Sequence, residues 1–149
     1  MGNICRSPTA EGVFRALASR HSELHEIKID SCGTIGYHVG EPPDPRSVEA
    51  ANRRGYDLSS IRSRKLSSDD FVRFDYILVM DEDNLANTKY FANENNLPTK
   101  HIKLFLDFAK DSPLTEVPDP YYGGASGFDD VIDLIEAASD GLIGELMDR

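Results

Sequence analysis

The run Tyr76-Ile77-Leu78-Val79-Met80, closed by Asp81, constrains the fold more than any other stretch. Five apolar residues with no polar alternate cannot turn one side to water, so the run predicts a strand buried on both faces. Such a strand needs cover above and below, and the flanking patterns supply helices. Ala10, Val13, Phe14, Leu17 and Ala18 fall at helical spacing, with Ser7 as candidate cap and Pro8 in the first turn. Ile27 and Ile29 alternate with Lys28 and Asp30, which predicts a strand. Asp44-Pro45 opens a second helix and Gly55 closes it. Leu85, Thr88 and Tyr90-Phe91 belong to a helix after the buried run, and Lys103 to Leu106 predicts a weaker strand. Phe128, Val131, Ile132, Ile135, Leu142 and Leu146 form the stripe of a last helix. Alternating helix and strand patterns predict an α/β fold with a mostly parallel sheet. One piece of the plan is absent. The sequence opens with a glycine turn leading straight into a helix, which is what a βαβ unit leaves when its first strand is removed.

Length and charge narrow the function. The 149 residues suit one domain with its own core, spanning 1–149. A formal net charge of -10 repels phosphate backbones and anionic lipid, so nucleic acid and membrane are not expected partners. Any anionic ligand must be held by a local positive site working against the global field. Two cysteines, Cys5 and Cys32, make no disulfide framework, and a reducing cytoplasm is the expected location. The stretch from Asp107 to Gly127, rich in proline and glycine, predicts a long loop, and loops of that length in compact domains are usually functional.

The first chemical motif is Gly2-Asn3-Ile4-Cys5-Arg6-Ser7-Pro8. Gly2 and Asn3 tolerate left-handed backbone angles, so consecutive N–H groups can turn inward as an anion nest. The nest runs into a helix N-terminus, where free donors and the macrodipole favour negative charge. Arg6 adds a planar fork matched to phosphate oxygens. By spacing alone, the same residues also describe an ordinary helix-capping turn with a surface arginine.

Gly2-Asn3-Ile4-Cys5-Arg6-Ser7-Pro8-Thr9-Ala10-Glu11 resembles the signature of the low-molecular-weight protein-tyrosine phosphatases, and Asp119-Pro120-Tyr121-Tyr122-Gly123-Gly124 resembles the general-acid loop of that family. The resemblance covers essentially the whole chain. It implies a single-domain, doubly wound parallel sheet with helices on both faces, of the phosphotyrosine-phosphatase-I type, with the first, central strand missing. It implies hydrolysis of phosphotyrosine and aryl phosphate monoesters through phosphocysteine, with no metal or other cofactor. Arg6 matches the catalytic arginine, and Gly2, Asn3, Ile4, Cys5, Arg6 and Ser7 the phosphate-binding loop. Asp119 matches the acid that protonates the leaving phenolate and later activates water. Tyr37, Tyr121 and Tyr122 match the aromatic walls around the substrate ring. Ser31, with Ser7, matches residues that orient the loop asparagine, here Asn3. Ile61 stands where many members have a histidine supporting that asparagine.

The family's nucleophile is a cysteine six positions before the arginine, which here would immediately precede Met1. Six residues after Cys5 comes Glu11, and six after Cys32 comes His38, so neither cysteine opens that spacing. The chain as numbered is therefore expected to bind inorganic phosphate and phosphotyrosine ligands but not to turn them over. A form carrying the strand is expected to be a monomer, and one lacking it to fill the gap by swapping or dimerising. A non-catalytic phosphotyrosine-binding module is the rival from another class. An arsenate reductase of the thioredoxin-coupled type is disfavoured, since no cysteine follows Cys32.

Overall fold

The computed structural model describes residues 4–120 and 126–148. The elements run in order α1 (Arg6–Ala18), a 3-10 turn (Ser22–Leu24), α2 (Pro45–Arg53), α3 (Asp70–Arg73), β1 (Ile77–Val79), α4 (Glu82–Glu94), β2 (Ile102–Leu104), a second 3-10 turn (Phe105–Phe108) and α5 (Gly127–Met147). β1 and β2 pair in parallel, with Ile77 opposite Ile102 and Val79 opposite Leu104. α4 forms the crossover between them, as parallel neighbours require. A further parallel bridge joins Gly33 to Lys65.

The strand alternation sorts the core into two layers. Ile77 and Val79 point with Ile102 and Leu104 toward α4, packing with Phe71 and Ala92. Tyr76, Leu78 and Met80 point the other way, against α1 and α5. On that side Val13 and Phe14 of α1 meet Ile132, Ile135 and Leu142 of α5, the most extensive helix pair in the molecule. The fold is α/β with a parallel sheet and helices on both faces. None of the helices, over the described residues, is long and apolar enough to cross a membrane.

Several boundaries differ from the sequence reading. α1 starts at Arg6 with Cys5 as its N-cap, so Ser7 lies inside the helix rather than capping it. In the same turn the Thr9 hydroxyl donates to the Cys5 carbonyl at 2.7 Å. The expected strand at Ile27 and Ile29 makes no ladder, because among the described residues no strand lies beside it to exchange hydrogen bonds. β1 is not buried on both faces along its length. Among the described residues only its β2 edge is paired, and its other side opens on a cavity of about 590 Å³ lined by Phe14, Ile27, Ile29, Leu78 and Leu142. That opening leaves Ile77 and Leu78 half-buried. The late strand begins one residue early, at Ile102, and stops at Leu104, because Phe105–Phe108 turn inward as a 3-10 segment that buries Phe105, Leu106 and Phe108. Asp44 does cap α2, accepting from the Arg46 N–H at 2.8 Å, and Gly55 ends it with φ +86.

The α1–α5 packing predicts its own test. Ile135 is fully buried at this interface. Ile135→Ala should lower unfolding stability by about 2–5 kcal/mol in urea titrations, by lost transfer energy plus a cavity. A loss below about 1 kcal/mol would mean that the interface is not part of the cooperative core.

Candidate active site

The site is built where α1 begins. Cys5 takes non-helical angles (φ -120, ψ -81) and Arg6 starts the helix. Ile4 is tied to the start of α2, its carbonyl accepting from the Asp44 N–H at 2.7 Å. The loop before the helix is thereby braced against two helices.

Arg6 is the centre of the arrangement. Its side chain is only 7% exposed. Nη1 donates to Asp81 Oδ2 at 2.7 Å and to the Val117 carbonyl at 2.8 Å. Nε and Nη2 take no partner among the described residues, which leaves two donors of the fork for a ligand. Burial works against the charge on Asp81, but the Asn84 N–H and the Arg6 guanidinium outweigh it and hold the carboxyl below the usual carboxylate range. Asp81 also caps α4 through that Asn84 N–H, at 2.7 Å. One carboxylate therefore fixes both a helix start and the arginine.

Arg6, Ile4, Cys5 and Ser7 line a cavity of about 240 Å³ together with Asp119, which is half-buried on its wall. A guanidinium fork and a carboxyl on one small cavity can hold a tetrahedral oxyanion and exchange a proton with a group attached to it. The Ser31 hydroxyl donates to Glu11 Oε1 at 2.6 Å, while Arg15 donates to Glu11 Oε2 at 2.7 Å. Buried Glu11 thus joins α1 to the segment that carries Ser31. Tyr37 is 85% exposed and does not line the cavity, whereas its neighbour His38 does. Ile61 packs into the core and brings no polar group toward the loop. Gly2, Asn3, Tyr121 and Tyr122 lie outside the described residues.

Both cysteines also line this cavity. Burial pushes the Cys32 thiol up to about 11, with Arg64 opposing and Asp70 and Asp30 adding to the rise. It is a neutral thiol at physiological pH and a poor nucleophile. Among the described residues no three His, Cys, Asp or Glu side chains converge as a metal site would require.

Asp81 and Glu11 were not singled out in the sequence. Asp81 had a visible signal, since it closes the apolar run and stands in a helix N-cap position. Glu11 closes the first signature and has Arg15 one helical turn on, but its bond to Ser31, 20 positions away, had no local signal.

A family profile described as low molecular weight phosphotyrosine protein phosphatase matches residues 1–149. The chain is 40% identical over 146 residues to the low molecular weight protein-tyrosine-phosphatase YfkJ of Bacillus subtilis, covering 98% of this chain and 91% of that protein. It is 39% identical over 131 residues to the human low molecular weight phosphotyrosine protein phosphatase, covering 88% of this chain and 82% of that one. The crystal structure of YfkJ superposes with a TM-score of 0.90, covering 99% of this chain and 91% of that chain. The structure of Vibrio vulnificus Wzb in complex with benzylphosphonate superposes at 0.82 with 26% identity, covering 97% and 93%.

The elevated Cys32 pKa is open to direct measurement. Peptide mapping after iodoacetamide treatment should show Cys32 alkylation still climbing with pH beyond about 9, as a thiol with its pKa near 11 requires. A plateau by pH 8 would show a thiolate where the structure places a thiol.

Proposed function

The chain belongs to the low molecular weight phosphotyrosine protein phosphatase family, and we propose that residues 1–149 act as one domain that binds the phosphoryl group of phosphotyrosine or an aryl phosphate at Arg6 and protonates the leaving phenolate from Asp119. The observation that carries this reading is the shared cavity: a buried arginine with two donors uncommitted among the described residues, and an aspartate on the same wall. Wzb, a structural relative, holds benzylphosphonate, which joins an aromatic ring to a tetrahedral dianion.

In this reading the amides of Gly2, Asn3, Ile4, Cys5, Arg6 and Ser7, with the Arg6 fork, surround the phosphoryl oxygens and stabilise the charge on them during transfer. A cysteine thiolate attacks phosphorus, and the phenolate leaves with the Asp119 proton. Asp119, now a carboxylate, takes a proton from water, which attacks the phosphocysteine and releases inorganic phosphate. Tyr37, Tyr121 and Tyr122 flank the ring, and Ser31 supports the loop. Neither Cys5 nor Cys32 opens the six-residue spacing to an arginine, and Cys32 is a neutral thiol. In the family pattern the attacking sulfur belongs to a cysteine six positions before the arginine, a spacing that neither Cys5 nor Cys32 offers. Residues 1–149 alone bind the dianion without turning it over.

The test compares p-nitrophenyl phosphate hydrolysis by residues 1–149 with that of a form extended by an apolar strand ending in cysteine before Met1. The extended form should be active, and its Asp119→Asn variant should lose about 100-fold or more toward phenyl phosphate. Turnover by residues 1–149, abolished by alkylating Cys5, would refute this assignment of the nucleophile.

A further inference from the structure

The loop that carries Asp119 contains no helix or strand between residues 109 and 119, yet it is not loose where it matters. The Val117 N–H donates to the Met80 carbonyl at 2.8 Å. The Val117 carbonyl accepts from Arg6 Nη1 at 2.8 Å, and the same nitrogen holds Asp81. The Glu116 carboxylate accepts from the Glu82 N–H at 2.6 Å, in the first turn of α4. These bonds converge on three consecutive residues, Met80-Asp81-Glu82, where β1 passes into α4. Val117 is fully buried as well. On the far side of Asp119 the start of α5 closes in: a Cβ on Gly127 would lie 2.8 Å from the Pro120 carbonyl oxygen, so only glycine fits there.

We propose that Glu116 is a positioning residue for the reaction, a latch that holds the Asp119 segment against the β1–α4 junction and so sets the reach of the Asp119 carboxyl into the arginine cavity. Within the latch it is the side-chain contribution, since the other two bonds use the Val117 backbone. Its exposed carboxylate has no packing reason to lie here, beside Asp81, Glu82 and Asp83. The free N–H groups and the dipole of α4 hold it against that local negative charge. A glutamine at this position would keep an acceptor for the Glu82 N–H and shed the repulsion. An alanine would leave that N–H to water and remove the Glu116 bond beside the two Val117 backbone bonds. The catalytic part of the proposal rests on the phosphatase reading, but the latch itself does not.

Two measurements test it. Amide hydrogen exchange on residues 1–149 should be about tenfold faster at Val117 in Glu116→Ala than in the parent, and unchanged in Glu116→Gln. Exchange at Ile132, inside α5, should not move, which separates a local latch from global destabilisation. In the cysteine-bearing form, Glu116→Ala should lower kcat/KM for phenyl phosphate about tenfold more than for p-nitrophenyl phosphate, whose better leaving group needs less acid. Glu116→Gln should restore the parent ratio. Unchanged exchange at Val117, or equal acceleration at Val117 and Ile132, would overturn the latch. An equal loss on both substrates would overturn its role in placing the acid. If the cysteine-bearing form hydrolyses neither ester, the phosphatase reading falls, and exchange at Val117 still decides the latch.

Discussion

A buried guanidinium has to be answered by its surroundings, and in this protein the answer organises the site. Leaving Arg6 uncompensated in the interior would cost several kcal/mol, a large part of the stability of a domain this size. Asp81 supplies the countercharge and the Val117 carbonyl a second acceptor. Those partners come from the β1–α4 junction and from the acid-bearing loop, so satisfying one cation fastens together three segments distant in sequence. Both partners take the same nitrogen. The rest of the fork takes no partner among the described residues, in a cavity whose wall also carries Asp119.

The same arrangement sets a local positive site against the protein's net charge of -10. The long-range field is unfavourable, but solvent and salt screen it over about a Debye length. Inside a small cavity the short-range donors dominate, and the α1 N-terminus adds its dipole to the arginine. Asp81 partly neutralises Arg6, which keeps the apo site from carrying an unpaired buried charge. Its position on one side of the guanidinium leaves Nε and Nη2 without a partner among the described residues.

Elements held by their own periodicity were legible in the sequence. The α5 stripe and the α2 boundaries needed only local information, and the Asp44 cap and Gly55 lie where the pattern put them. Elements that depend on a neighbour were not. Ile27 and Ile29 have a strand's alternation but no ladder, and β1 has a buried strand's composition but one open edge. For the site, Arg6 and Asp119, which line one cavity, could be read from motifs because each lies in a local signature, while the glycine turn at Gly2 and Asn3 lies outside the described residues. The contacts that place them could not. Asp81, Glu11 and Glu116 act through partners 75, 20 and 34 positions away, and no short window of sequence contains such pairs.

The central claim is that Arg6, held by Asp81 and the Val117 carbonyl, presents the rest of its fork to a tetrahedral dianion. Calorimetric titration of residues 1–149 with inorganic phosphate at pH 7, beside the Arg6→Lys variant, tests it most directly. The account predicts saturable 1:1 binding by the parent and a weakening of about tenfold or more in the variant, which keeps the charge but loses the planar fork. Equal affinity in the two proteins, with matching urea midpoints, would contradict it.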